Sequence, residues 1–268
     1  MSLADLTLDR WRSLDPAAAG RIAHEAAAQV GGRVVLFDAV EHLGGPLHRV
    51  RIEREGQEFA LVPGGTVRLG FDLDVWEPTP AQSADYAESA EEGYGYGYGR
   101  PDLRSYLADV LSPPRTATLA TVLMAVEDEA LTARAADMPA ALAARGLRMP
   151  GADEWEHACG AGAGTLFRWG NECPLDEPPY GAGGVRHEPN AFGLHIAHDC
   201  YGTELSADPA AVHGGDGGEA ACGGYGDLLA WLPLATANRN PYAAEFTYGP
   251  DGEGMYEEFS TRAVLSLR

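Results

Sequence analysis

Apolar residues recur in two different registers along this chain. Over residues 6–30, Leu8, Trp11, Leu14, Ile22 and Ala26 fall at roughly helical spacing within an alanine-rich stretch. Asp15-Pro16 has the form of an N-cap followed by proline at the first helical position. The pattern predicts two short helices. From Arg33 the rhythm shortens. Val34-Val35-Leu36-Phe37, residues 47–53, Phe59-Ala60-Leu61-Val62 and Val67-Arg68-Leu69 read as short strands. Gly44-Gly45-Pro46, Glu55-Gly56 and Pro63-Gly64-Gly65 supply the turns between them.

Residues 72–100 read as a long polar loop. It carries Tyr94, Tyr96 and Tyr98 alternating with glycine, which in an extended chain puts three phenols on one face and makes the loop a candidate lid. Next come a short helix over 101–110, a strand over 116–126, and an alanine-rich helix over 128–145 ending at Gly146. Beyond Asn171 turns dominate, with strands expected at 228–234 and 263–267. No internal repeat is apparent.

Composition narrows the picture. A chain of 268 residues with 45% hydrophobic and 22% charged residues can bury a substantial core, and 34 glycines and 18 prolines point to a loop-rich α+β architecture. A formal charge of −21 argues against nucleic acid or an anionic membrane as partner. All 19 basic residues are arginine, which removes lysine Schiff-base and lysine general-base mechanisms. No run of about 18 apolar residues suggests a membrane span. The first twelve residues lack the basic and apolar regions of a secretory leader, so the expectation is a cytoplasmic chain. The four cysteines, Cys159, Cys173, Cys200 and Cys222, contain no C-x-x-C pair and are expected as free thiols.

Four marks in fixed order carry a family resemblance. They are Val62-Pro63-Gly64-Gly65-Thr66-Val67-Arg68-Leu69-Gly70, then Arg148-Met149-Pro150-Gly151-Ala152-Asp153-Glu154-Trp155-Glu156-His157-Ala158 followed by Trp169-Gly170-Asn171. Asn190-Ala191-Phe192-Gly193-Leu194 comes third, and Gly223-Gly224-Tyr225 with Asn238-Arg239 fourth. Together they resemble the formylglycine-generating, or sulfatase-modifying-factor, family. The resemblance implies the C-type-lectin-like fold of that family over residues 56–268, with residues 1–55 as a helical and strand extension packed on it. It gives Trp155 and Ala158 core-facing places on a helix, and places Arg148 to pair with a buried carboxylate.

The resemblance also locates a departure. The family's copper-binding cysteine pair follows the segment that here reads Gly223-Gly224-Tyr225, and no cysteine follows it in this chain. The family's calcium-binding segment reads here Ala197-His198-Asp199-Cys200-Tyr201-Gly202-Thr203-Glu204, which argues against calcium. The chain adds His195-x-x-His198-x-Cys200, two imidazoles and a thiol of the kind that suits a transition metal, so His195, His198 and Cys200 are candidate metal ligands. Cys222 and His198 are candidate catalytic residues. Arg239, Asn238, Tyr225 and Trp231 are candidate contacts for substrate. The expectation is a diverged, oxidoreductase-like tailoring enzyme acting on a small molecule or peptide. The alternatives are a non-catalytic binding module on the same fold and, third, an authentic sulfatase activator.

Overall fold

A computed structural model describes residues 2–91, 102–177, 179–180, 183–215, 217, 226–250 and 258–268. The chain opens with α1 (Leu8–Arg12) and α2 (Pro16–Val30). Asp15 caps α2 by accepting from the Ala18 N–H at 2.8 Å, and Gly31 ends it in the left-handed conformation at φ 71°. Its buried face is only Ala19, Ala23, Ala26 and Ala27, so the helix lies close on the strands beneath it.

Those strands are β1 (Arg33–His42) and β2 (Gly45–Arg54), followed by β3 (Gln57–Val62) and β4 (Gly65–Leu69). Two-residue turns at Leu43-Gly44 and Glu55-Gly56 join the first three, with positive φ at all four positions, the hand that matches strand twist. Next are α3 (Pro80–Glu91), α4 (Leu103–Val110), β5 (Arg115–Leu119), β6 (Val122–Ala125), β7 (Glu129–Ala130), α5 (Met138–Ala144) and α6 (Ala152–Gly160). The last described elements are β8 (Thr203–Leu205), β9 (Val212–Gly214), α7 (Asp227–Trp231), α8 (Pro241–Tyr248), β10 (Phe259–Thr261) and β11 (Val264–Ser266).

The fold is mixed α+β with small sheets. A five-stranded sheet has the order β1-β2-β3-β6-β11 and is antiparallel throughout. The expected boundary at residue 55 falls between β2 and β3, which are hydrogen-bonded neighbours in that sheet. A four-stranded sheet has the order β7-β10-β8-β9, with β10 and β8 parallel. β4 and β5 form a separate pair. One core surrounds the large sheet and takes in Trp11, Ile52, Phe59, Leu123, Met124, Trp155 and Phe192. A second joins Phe71, Trp76, Leu107, Phe167, Trp231 and Leu234. No helix among the described residues is long and apolar enough to cross a membrane.

Several expectations change here. The segment 72–100 contains α3, opened by reciprocal bonds in which the Gln82 N–H donates to Thr79 Oγ1 and the Thr79 N–H to Gln82 Oε1. The tyrosines at 94, 96 and 98 lie outside the described residues. The run 116–126 is two strands in two sheets, broken at Ala120-Thr121, where Thr121 Oγ1 accepts from Gly64 N–H and donates to the Leu6 carbonyl. Residues 128–145 give a short strand and α5 in place of one helix. Residues 228–234 are helical, because an unbroken apolar run surrounded by core satisfies a buried helix as well as a strand.

The Pro63-Gly64-Gly65 mark has a steric origin. A Cβ on Gly64 would stand 2.2 Å from the Leu119 carbonyl oxygen, and Gly65 sits at φ 108°. The opening segment docks here through Leu8 N–H to the Gly64 carbonyl and Gly64 N–H to the Leu6 carbonyl.

Candidate functional site

The signature helix α6 organises its surroundings with both faces. At its start, Glu154 accepts from the Gly151 N–H at 2.8 Å and is gripped by both terminal nitrogens of Arg148 at 2.6 and 2.7 Å. The carboxylate partner of Arg148 is therefore Glu154 in the first turn of α6, partly exposed where a buried one was expected. Two residues on, buried Glu156 accepts from Arg115 at 2.8 Å, Arg239 at 3.2 Å and the Ser112 hydroxyl at 2.9 Å, and also from the Gly70 N–H. Asp153 joins the same two arginines at 2.6 and 2.9 Å. Burial raises the Asp153 pKa, but the bonds to Arg115 and Arg239 outweigh it and leave the pKa lowered. Arg239, expected as a substrate contact, is thus spent on an internal network that ties β5, α6 and residue 239 together.

The other face of α6 carries Trp155. Its ring stacks on the His213 imidazole with centroids 3.9 Å apart and planes within 10°. His213 stands on β9 directly across from Glu204 on β8, so the two-stranded register sets them side by side. Asn238, also expected as a substrate contact, is buried and holds this arrangement: its carbonyl accepts from His213 Nδ1 at 3.0 Å and its side-chain oxygen from the Gly214 N–H at 3.1 Å. With Nδ1 as the donor, Nε2 carries the lone pair, and among the described residues it is buried with no partner. The Trp155 indole N–H is likewise buried without a hydrogen bond of normal geometry.

These groups line a cavity of about 70 Å³, together with Asp128, His198 and Asp199. Glu204 is held on both oxygens by Arg262, at 2.9 and 3.1 Å. Burial raises the Glu204 pKa, against the pull of Arg262 and with Asp128 adding to the rise. Burial lowers the His198 pKa, opposed by Asp128, and lowers that of His213 to about 3. Both imidazoles are neutral at pH 7.

No family model matches the chain, and no curated protein matches it significantly.

Of the sequence candidates among the described residues, only His198 lines this cavity. His195 points elsewhere, with Nδ1 at 2.6 Å from Glu127 Oε1. Cys200 is fully buried in the second core, its thiol pushed up to about 11 by burial. Ala197, at φ 48°, turns the chain between them, so His195, His198 and Cys200 face three different environments. Among the described residues, no three His, Cys, Asp or Glu side chains are grouped to hold a metal ion. Trp231 is core: its indole N–H donates to the Glu177 carbonyl at 3.1 Å and its ring meets Trp169 edge-on. Cys222 and Tyr225 lie outside the described residues. Burial also pushes the thiols of Cys159 and Cys173 up to about 12.

Proposed function

We propose that the chain is a diverged member of the formylglycine-generating type, on the C-type-lectin-like fold, that binds a small molecule or peptide group in the Trp155–His213 cavity and acts on it by proton transfer. The supporting observation is the meeting of two neutral imidazoles, His198 and His213, on one small cavity walled by carboxyl groups. His198 is the general base of this reading, being only half-buried, and His213 Nε2 is a second acceptor. The described thiols are poor nucleophiles at neutral pH, which weighs against thiol redox chemistry at Cys159, Cys173 or Cys200.

A second reading, a binding module without turnover, is favoured by the occupation of both Glu204 oxygens, which leaves that carboxyl no part in returning a proton. The experiment presents a charge-balanced set of small amines, acids, amides and short peptides, including one with the C-x-P-x-R motif, to the full chain. The Trp155 indole resonance reports binding and mass spectrometry reports products. The enzyme reading expects a product whose formation slows by about 10² or more in His198→Ala. Binding without product selects the module. An aldehyde on the peptide cysteine would restore sulfatase activation. If nothing moves the Trp155 resonance, the cavity is not the site.

A further inference from the structure

The cavity's hydrogen-bonding chemistry leans to acceptors, set against a single unpartnered indole N–H of Trp155 among the described lining residues, and this deepens the reading above, on which it rests. Arg262 is the cation beside it, and its five N–H groups are all consumed. Nε donates to Glu204 Oε1 at 2.9 Å, and Nη1 donates to the carbonyls of Ala125 and Val126 at 2.8 and 2.7 Å. Nη2 donates to Glu204 Oε2 at 3.1 Å and the His195 carbonyl at 2.9 Å. A guanidinium so saturated has nothing left to offer an anion. What the wall presents instead are acceptors. Asp128 and Asp199 bring carboxylates, and only Asp128 has the guanidinium within reach, at 3.8 Å. His213, a lining residue, brings a ring nitrogen, Nε2, that is buried and unpartnered among the described residues, its Nδ1 being tied to the Asn238 carbonyl. Three carboxyl groups line the cavity and no guanidinium does, with Arg262 and Arg186 standing behind its wall, and the Trp155 indole N–H is the one unpartnered side-chain donor among the described lining residues.

We propose that the cavity is a subsite for a primary ammonium group, the head of a small unbranched amine. Such a head carries three N–H donors and one positive charge, which answers the surplus of acceptors and of negative charge. The volume, about 70 Å³, is well above the roughly 10–15 Å³ of cavity that one water needs, enough for an ammonium and the carbon beside it. Hydrogen bonds to an ammonium also span a wider ring of acceptors than bonds to a bare metal ion, in keeping with acceptors that do not converge as metal ligands.

The test titrates the full chain with ethylammonium, following heat and the Trp155 indole resonance, beside tetramethylammonium, ethanol and acetate. Glycine amide separates a peptide-like amine from a simple alkylamine. Ethylammonium is expected to bind saturably, at least tenfold more tightly than any of the three controls. Its affinity is expected to fall at least tenfold in Asp128→Asn and in His213→Phe, the second keeping a ring against Trp155. Among the described residues Asp128 makes only a distant ion pair, with Arg262 at 3.8 Å, so Asp128→Asn keeps the question answerable if His213→Phe fails to fold. Equal binding of tetramethylammonium would show that charge alone is read, and would overturn the assignment. Unchanged affinity in Asp128→Asn would do the same. If acetate or ethanol moves the Trp155 resonance and ethylammonium does not, the ammonium subsite is wrong while the cavity reading survives. If none does, both fall.

Discussion

Replacing Arg262 by methionine is the most searching test of this architecture. The side chain is fully buried and its guanidinium serves the end of β6, the 195 segment and β8 at once. Methionine fills much of the space and supplies no donor. Three carbonyls then lose a partner, at about 1 kcal/mol each. The Glu204 carboxylate is stranded, for about 1.5–3 kcal/mol more as a charged bond lost. The total, about 5 kcal/mol, agrees with the roughly 3–5 kcal/mol expected when one half of a buried ion pair is removed. Urea unfolding followed by circular dichroism should show the midpoint fall by about 2 M at a slope near 2–3 kcal/mol/M. The double variant Arg262→Met with Glu204→Leu removes the stranded charge and should recover about 2 kcal/mol, leaving the carbonyl share. A loss below about 1 kcal/mol in the single variant, or no recovery in the double, would refute this account of the pair.

Three further outcomes are expected. Burial holds the His213 pKa near 3 against an unfolded value of 6.5, so below pH 6.5 the unfolded chain takes up a proton that the folded chain refuses. Stability should therefore fall by about 1.4 kcal/mol per pH unit from this residue as pH drops from 6.5 toward 3. The raised Glu204 pKa works in the opposite direction, so the measurement is the difference in pH slope between wild type and His213→Gln, and identical slopes would sink it. Gly64→Ala should destabilise the chain by several kcal/mol, since its Cβ meets backbone at 2.2 Å, and a melting temperature within a degree of wild type would contradict that. In native protein at pH 7.5, Cys159, Cys173 and Cys200 should resist iodoacetamide, read by peptide mapping; fast labelling of Cys200 would show its burial to be wrong.

Local signals were legible and distant pairings were not. The Asp15-Pro16 cap and the Glu55-Gly56 turn follow from turn chemistry that acts within a few residues. The first hairpin, by contrast, turns at Leu43-Gly44, ahead of the expected Gly44-Gly45-Pro46, whose last two residues open β2. The core-facing place of Trp155 comes with the family resemblance. The Thr79-Pro80-Ala81-Gln82 box was equally legible, yet the polar character of 72–100 masks it. The cavity has no comparable trace. Glu204 and His213 meet through three-residue strands, too short for alternation to stand out. Arg262 looks like any of the 19 arginines until tertiary structure removes it from water. The His195-x-x-His198-x-Cys200 spacing suggests a cluster only if the backbone stays regular, and Ala197 breaks it.

The passage from β10 to β11 takes two residues, Arg262 and Ala263, and crosses from the small sheet to the large one. Ser260 on one side of that crossing and Glu204 beside it belong to the cavity wall. Neither sheet can draw back from the other without tearing the bonds of Arg262, so this wall does not yield to what presses on it. On the proposed reading, such a wall would make discrimination among guests steric, and truncating a wall residue, as in Ser260→Gly, is expected to widen the range of amines bound.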